Sequence, residues 1–204
     1  MRLQRRGVLL GGIALLASGC GPGGSDTAVA PRLEDITDDP ATVAARAAGL
    51  SATALVAQEA AAAAAEDRRL LVMFFASWCP WCRRLNATFT DPAVAPLLDA
   101  HVRILHLRVE EREPAMAALG LSEADALYRG WAGGDPPGLP FLAALDGAAE
   151  GVTTSIQPAA GGNFGFPVSD GELAGFDAML AAAAPAMTAA ERGDIRAACE
   201  RIYS

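Results

Sequence analysis

An apolar run ends at a pair of cysteines, and this junction constrains the fold more than any other feature of the chain. The run, Leu70–Ala76, contains no charged residue, which is typical of a strand buried on both faces in a parallel sheet. Cys79 and Cys82 follow it in the stretch Trp-Cys-Pro-Trp-Cys. Pro80 suits the first position of a helix, where its missing N–H costs nothing. The sequence therefore predicts a strand followed by a helix over 80–89, with Cys79 at the N-terminus of that helix.

A close cysteine pair is a redox dithiol, half of a metal site or a structural disulfide. Exchange needs a thiolate, and the N-terminus of a helix offers partial positive charge to one at Cys79. Cys82, in the first turn, lies close enough to attack a mixed disulfide held on Cys79. Binding of copper or zinc together with His101 or His106 is the metal alternative, but one C-x-x-C without a second close ligand pair is weak for zinc. We therefore predict Cys79 as nucleophile, Cys82 as resolving cysteine and no metal.

The remaining segments predict alternating helices and strands around this junction. The predicted elements are a helical stretch over 41–66, a helix starting at Asp91-Pro92, a strand over 101–109, two short helices within 113–131, a strand over 139–145 with an antiparallel partner over 150–156, and closing helices over 171–184 and 189–202. Thr188 is the expected N-cap of the last helix. The segment 157–171, rich in glycine and proline, is expected to be a loop.

The stretch Phe-Phe-Ala-Ser-Trp-Cys-Pro-Trp-Cys, with the proline of Gly-Leu-Pro-Phe further on, resembles the thioredoxin superfamily. The similarity covers about 70–156 and is strongest to thioredoxin-like domains of bacterial envelope disulfide-interchange proteins. It implies an α/β fold of three layers, with a central mixed sheet and helices on both faces. We expect this domain to span 41–204, with an extra C-terminal helix.

The resemblance also implies roles for residues around the cysteine pair. Pro140 would follow a cis bond beside the sulfurs, and Leu139 would offer backbone groups to an extended substrate segment. A plain proline at the start of a strand is the alternative for Pro140. Trp78 is expected to pack behind the site. Trp81 is expected either to lie at the surface and contact an apolar partner or simply to shield the disulfide. Arg83 and Arg84, in the following turn, are expected to add positive charge or to form a solvated helix face.

The chain departs from thioredoxins in its buried proton-handling groups. Met73 stands where thioredoxins carry an acidic residue, six positions before the first cysteine. His106 takes the place of a lysine on the next strand, which makes it a possible proton acceptor for Cys82. The alternative is a histidine that is merely packed in the structure. Cys199, left over from the pair, is expected to be a buried, small apolar residue.

The N-terminal segment predicts export. Residues 1–19 combine three arginines with an apolar run, as an export signal does. The sequence Leu-Leu-Ala-Ser-Gly-Cys resembles the lipobox of bacterial lipoproteins, which implies cleavage before Cys20 and lipid on it. An ordinary signal with a stray cysteine is the alternative, and Arg5-Arg6 leaves twin-arginine export open. Residues 20–40, rich in glycine, proline and aspartate, are expected to be a flexible tether.

Charge and motifs restrict the partners. The formal net charge is −8, and no basic cluster suits nucleic acid. Loss of residues 1–19 removes three arginines and no acid, which brings the charge to −11. Contact with the membrane would therefore depend on the lipid on Cys20. No G-x-G-x-x-G follows a strand, so no nucleotide cofactor is predicted.

These observations predict a lipid-anchored thiol–disulfide oxidoreductase in the bacterial cell envelope, facing the periplasm or the exterior. Its partners would be cysteine-containing envelope proteins and a membrane electron donor or acceptor. Because export puts it in an oxidising compartment, a reductase would need such a donor, and we favour that direction. The alternative is a binding or assembly lipoprotein of the same fold in which the C-x-x-C pair is a structural disulfide.

Overall fold

The computed structural model describes residues 33–204. The predicted export signal over 1–19, the predicted lipid site at Cys20 and most of the tether predicted over 20–40 lie outside the described residues. The helices are α1 Pro40–Ala47, α2 Ala52–Ala65, α3 Pro80–Phe89, α4 Ala95–Asp99, α5 Pro114–Ala117, α6 Ala124–Ala132, α7 Asp170–Ala183 and α8 Ala189–Tyr203. The strands are β1 Arg69–Phe75, β2 Val102–Arg108, β3 Phe141–Leu145, β4 Gly151–Thr154, β5 Ile156–Gln157 and β6 Gly162–Asn163.

The central sheet is mixed and has the strand order β2-β1-β3-β4. β1 pairs with β2 in parallel, and β3 is antiparallel to both β1 and β4. Because β1 and β2 are parallel, their carboxyl ends meet at one edge of the sheet. The cysteine pair follows β1 at this edge, and an acidic segment, 110–113, follows β2 there.

Helices cover both faces of the sheet, and β1 is buried on both sides, as predicted. Leu71, Met73 and Phe75 face the layer that contains α3, α7 and α8. Leu70, Val72 and Phe74 alternate with them and face α1, α2 and α6. All six side chains are buried. The predicted three-layer α/β fold, with an additional C-terminal helix, is confirmed.

Local signals explain where two helices differ from the sequence prediction. The predicted helical stretch over 41–66 is broken between α1 and α2, where Gly49 has a φ of +68° and Ser51 caps α2 by accepting a hydrogen bond from the amide of Ala54. A left-handed glycine ends one helix and a serine N-cap starts the next. The helix predicted from Asp91 starts four residues later, at Ala95, because the Asp91 carboxylate accepts a hydrogen bond from the amide of Ala93 and forms a local turn.

The last part of the predicted tether contacts the domain. Ile36 is buried in the same cluster as the cysteine pair. Asp38 accepts a hydrogen bond of 2.9 Å from Arg108, and the carboxylate of Asp39 accepts one of 2.5 Å from the amide of His106. These contacts lie along the outer edge of β2, so residues before position 41 also pack against the domain.

Candidate active site

Cys79 is the N-cap of α3, as predicted. Its Sγ accepts a hydrogen bond of 3.1 Å from the amide of Cys82, and Pro80 occupies the first turn. The two cysteines form a disulfide, with their Cα atoms 5.3 Å apart. After reduction, the same amide and the partial positive charge of the helix N-terminus would stabilise a thiolate on Cys79. The geometry therefore suits Cys79 as the attacking sulfur.

Both sulfur-bearing residues are largely covered. Cys79 is 2% exposed and Cys82 is fully buried. Both belong to the same apolar cluster, and Cys82 lies in the first turn of α3.

A buried ionic network holds the loop that precedes Cys79. The Glu111 carboxylate accepts hydrogen bonds from the amide of Ser77 at 2.7 Å and from its hydroxyl at 2.6 Å. Arg108 donates to Glu111 at 2.7 Å and to Asp38 at 2.9 Å. The side chains of these three charged residues are at most 8% exposed. The network attaches the loop to the end of β2 and to the N-terminal lead-in.

The sequence reasoning missed this network. One feature of the sequence could have indicated the network. Glu111 follows a strand that is parallel to the strand before the cysteines, so Glu111 and the cysteines lie at the same edge of the sheet. Ser77 and Asp38 carry no pattern that identifies them as its partners.

Trp78 lies at the surface and does not pack behind the site, so this expectation is wrong. It is 36% exposed, and its indole Nε1 donates to the carbonyl of Glu110 at 2.9 Å. The Arg112 guanidinium stacks 3.8 Å from the centre of its ring. This hydrogen bond and cation–π contact hold the indole along the outside of the loop after β2.

Trp81 lies at the surface, as expected, within a stack of aromatic rings. It is 43% exposed and stacks on Phe166 at 6.0 Å and on Tyr203 at 6.4 Å. The Arg84 guanidinium lies 5.5 Å from the indole centre and donates to the carbonyl of Ile202 at 2.7 Å. The end of α8 is thereby attached to the first turns of α3.

The two arginines after the pair therefore have structural partners. Arg84 hydrogen-bonds carbonyls at the C-terminal end of α8. Arg83 donates to the carbonyl of Ser77 at 3.1 Å and lies 3.4 Å from the carboxylate of Asp35. Both side chains are oriented by these contacts, and neither forms a hydrogen bond to a cysteine sulfur within the described range 33–204.

The Leu139–Pro140 peptide bond is cis, as predicted. It lies directly before β3, which pairs with β1, the strand that leads to the cysteines. Leu139 is partly buried and contacts the apolar clusters on both faces of the sheet. The substrate-binding role of both residues remains a prediction.

His106 lies directly opposite Met73 in the sheet. Its Nδ1 is 3.1 Å from the carboxylate of Asp39. Its Nε2 is buried and has no hydrogen-bond partner among residues 33–204, while the ring meets Phe75 edge-on at 6.1 Å. The structure thus pairs His106 with Asp39 on the cysteine-bearing side of the sheet, and the proton-acceptor role remains a prediction.

The remaining metal and thiol candidates are not assembled into a second site. Cys199 is buried on α8, as expected, and burial raises the pKa of its thiol to about 11. The side chain of His101 lies 3.5 Å from the carboxylate of Glu191. Within residues 33–204, no group of three or more histidine, cysteine, aspartate or glutamate side chains is arranged to hold a metal ion. Over the same range, no helix is both long and apolar enough to cross a membrane.

Comparison with known proteins identifies the central part of the chain. Residues 51–147 match a family model described as thioredoxin-like. No curated protein matches the chain. The crystal structure of a disulphide isomerase from Xylella fastidiosa Temecula1 is similar at 20% sequence identity and a TM-score of 0.40, covering 51% of this chain and 72% of that chain.

Proposed function

Residues 51–147 belong to the thioredoxin superfamily, and on this premise we propose that the protein is a thiol–disulfide oxidoreductase that works through Cys79 and Cys82. The observation that carries the proposal is the position of Cys79 at the N-cap of α3, with the Cys82 amide donating to its sulfur. A helix N-terminus stabilises the thiolate that disulfide exchange requires.

The exchange proceeds in two steps that transfer two electrons. In the reducing direction, the Cys79 thiolate attacks one sulfur of a substrate disulfide, that bond breaks, and one substrate thiolate leaves and takes a proton from water. The Cys82 thiolate then attacks Sγ of Cys79 in the mixed disulfide, which releases the second substrate thiolate. The substrate gains two electrons, and the protein is left with the Cys79–Cys82 disulfide. A dithiol donor reverses this reaction for the next cycle.

We propose His106 as the acceptor of the Cys82 proton. The hydrogen bond to Asp39 occupies Nδ1, which leaves the lone pair of Nε2 to accept a proton. Replacement by glutamine should slow the second step, the release of the substrate. The first step, attack by Cys79, should keep its rate. Stopped-flow measurement of both steps separates them, and slowing of the first step alone would contradict this role.

The proposed cellular setting is the bacterial envelope, with the protein anchored by lipid on Cys20 and facing the periplasm or the exterior. Support comes from the N-terminal sequence, with its arginines, apolar run and lipobox-like end. The proposed partners are envelope proteins with cysteine pairs and a membrane electron donor. We favour reduction as the direction. In that direction, an exported oxidoreductase without a nucleotide motif needs such a donor to keep Cys79 and Cys82 reduced.

Insulin reduction tests the proposal directly. The full-length protein, supplied with a dithiol donor such as reduced thioredoxin, should accelerate precipitation of the insulin B chain. Cys79→Ser should abolish this activity, and Cys82→Ser should leave a protein that accumulates mixed disulfides. Cys199→Ser is the matched control and should retain activity. Failure of the unaltered protein to accelerate the reaction would contradict the proposal.

The alternative is a binding or assembly protein in which the same disulfide is structural. The observation that favours it is the 2% exposure of Cys79. The reduction potential separates the two functions, because structural disulfides have potentials below about −300 mV and catalytic ones lie higher. Equilibration with glutathione buffers, followed by alkylation and mass spectrometry, gives that potential and would also test the direction of the reaction.

A further inference from the structure

The segment Asn163–Phe166 connects the two parts of the site, although it lies in a region expected from the sequence to be only a loop. Its first residue ends the small hairpin of β5 and β6, and its last residue lies four positions before the start of α7. Gly165 has a φ of +56°, and a Cβ built on it would lie 3.8 Å from Cδ of Pro140. The segment therefore passes directly beside the Leu139–Pro140 bond.

The Asn163 side chain binds the backbone on both sides of Leu139. Its Nδ2 lies 3.0 Å from the carbonyl of Gly138 and 3.2 Å from the carbonyl of Pro140. A third carbonyl, that of Pro137, is 3.4 Å away. Its Oδ1 accepts from the amide of Gly165. Three carbonyl neighbours on one side and an amide donor on the other define which amide atom is the nitrogen.

A second donor supports the same turn. The hydroxyl of Tyr128, on α6, donates to the carbonyl of Gly138 at 3.1 Å. The Tyr128 side chain is fully buried, and its burial raises the pKa of the phenol to about 12. The hydroxyl therefore remains protonated and able to donate across the pH range in which proteins are stable.

The backbone groups of Leu139 itself are left without partners. No group among the described residues 33–204 hydrogen-bonds the amide or the carbonyl of Leu139. The carbonyls before and after it are occupied by Asn163, and that of Gly138 also by Tyr128. The arrangement fixes a single residue between two hydrogen-bonded carbonyls and leaves it one free donor and one free acceptor. These are the groups with which an added strand pairs.

The other end of the segment contacts the cysteine loop. Phe166 is 4% exposed and stacks at 6.0 Å on Trp81, one of the two residues between the cysteines. Phe164, inside the same segment, is buried and packs on Phe176 of α7, with the ring centres 5.4 Å apart. The four-residue segment is thus fixed in the core at one point and contacts both Leu139–Pro140 and Trp81.

We propose that Asn163 is a positioning residue that orients the free backbone groups of Leu139 toward an extended polypeptide substrate, with Tyr128 as its second support. This inference rests on the proposed function, because it concerns how the same site takes a protein rather than a small disulfide. The substrate class is a polypeptide that presents its cysteine in an extended segment, since only a peptide backbone can pair with Leu139.

The consequence is a selective effect on protein substrates. Without the Asn163 amide, the Gly138 carbonyl keeps only the Tyr128 donor and the Pro140 carbonyl loses a donor, so Leu139 is held less firmly. A small disulfide without peptide groups makes no bond to Leu139, so its reaction with Cys79 does not depend on that orientation. Loss of one or two hydrogen bonds between backbones changes affinity on the order of tenfold.

The test compares two substrates in the full-length protein. Asn163→Asp keeps the shape of the side chain and removes its donors. It should lower kcat/KM for insulin about tenfold more than for 5,5′-dithiobis(2-nitrobenzoate), with the insulin effect in KM rather than in kcat. Gln157→Glu is the matched control, because this amide lies in the same hairpin and donates to the carbonyl of Thr154 at 2.7 Å but not to the Leu139 turn. It should leave the ratio of the two activities unchanged.

Tyr128→Phe provides a second variant if Asn163→Asp does not fold. It retains the buried ring, removes one donor to Gly138 and should shift the ratio in the same direction by a smaller factor. An unchanged ratio in whichever of the two variants folds, or an equal shift in Gln157→Glu, would overturn the inference. An unaltered protein that reduces neither substrate would instead overturn the proposed function, so the two failures are distinguishable.

Discussion

Glu111 holds Ser77 by two hydrogen bonds, one from the amide at 2.7 Å and one from the hydroxyl at 2.6 Å. Ser77 is two positions before Cys79, so this carboxylate attaches the cysteine loop to the end of the neighbouring parallel strand. Arg108 balances its charge at 2.7 Å. The position of Cys79 thus depends on a buried ion pair as well as on its own helix.

Glu111→Ala should destabilise the protein by about 3 kcal/mol, because it leaves the buried Arg108 with one partner fewer and removes both bonds to Ser77. Urea unfolding at pH 7 measures the change in the free energy of unfolding. Glu113→Ala, two positions further on at an exposed site without a side-chain cap, is the control and should change it by less than about 0.5 kcal/mol. Equal losses in the two variants would contradict the role given to the network.

Cys79 and Cys199 should differ sharply in reactivity once the disulfide is reduced. Burial raises the pKa of the Cys199 thiol to about 11, so near pH 8 only about one molecule in a thousand carries the thiolate. Iodoacetamide with peptide mapping should label Cys79 first and Cys199 only after unfolding. Labelling of Cys199 at the rate of Cys79 in the folded protein would show that the assignment is wrong.

Tyr203→Ala should remove one side of the aromatic stack around Trp81. The ring of Tyr203 lies 6.4 Å from the indole and is itself 48% exposed, so the loss of stability should be small, about 0.5–1.5 kcal/mol. Acrylamide should quench Trp81 more strongly in this variant, in a background where Trp78 and Trp131 are replaced by phenylalanine. Tyr203→Phe, which keeps the stack, should show the quenching of the unaltered protein.

Acid should weaken the start of α7. Burial raises the pKa of Glu172, but hydrogen bonds from the amides of Ser169 and Val168 and from the Ser169 hydroxyl outweigh it, and the pKa is lowered from its usual 4.5. A lowered pKa stabilises the fold above the unfolded value, and this contribution is lost as pH falls below about 4.5. Unfolding by urea between pH 3 and 7 should show a shallower pH dependence for Glu172→Gln. Glu150→Gln, at an exposed site, serves as the control. If stability varies with pH equally in Glu172→Gln and Glu150→Gln, the prediction is refuted.

Under the proposed lipid anchoring at Cys20, Cys20→Ser should release the protein from the membrane fraction, because the acidic chain has no charge attraction to anionic headgroups. Fractionation of cells followed by immunoblotting measures the distribution. Signal cleavage must be confirmed by mass in the unaltered protein. Membrane association that survives the change would contradict the lipoprotein interpretation.

The sequence by itself determined the elements whose signals are local. The apolar run of β1, the proline after Cys79, and the Thr188 and Glu191 pair that caps α8 each act within a few residues, so their structure follows from short-range physics. The cis bond at Pro140 is different. It was predicted from the family resemblance, because nothing in the neighbouring residues requires it.

Only the tertiary structure decided which distant groups meet. His106 bonds Asp39 across 67 positions, Ser77 bonds Glu111 across 34, and Asn163 bonds Gly138 across 25. The identity of a polar side chain shows which hydrogen bonds it can donate or accept. It does not show the partner, because any of several carboxylates or carbonyls can form that bond equally well. The partner is selected when strand pairing and apolar burial bring the chain together, and a buried polar group must then bond to whichever group lies beside it.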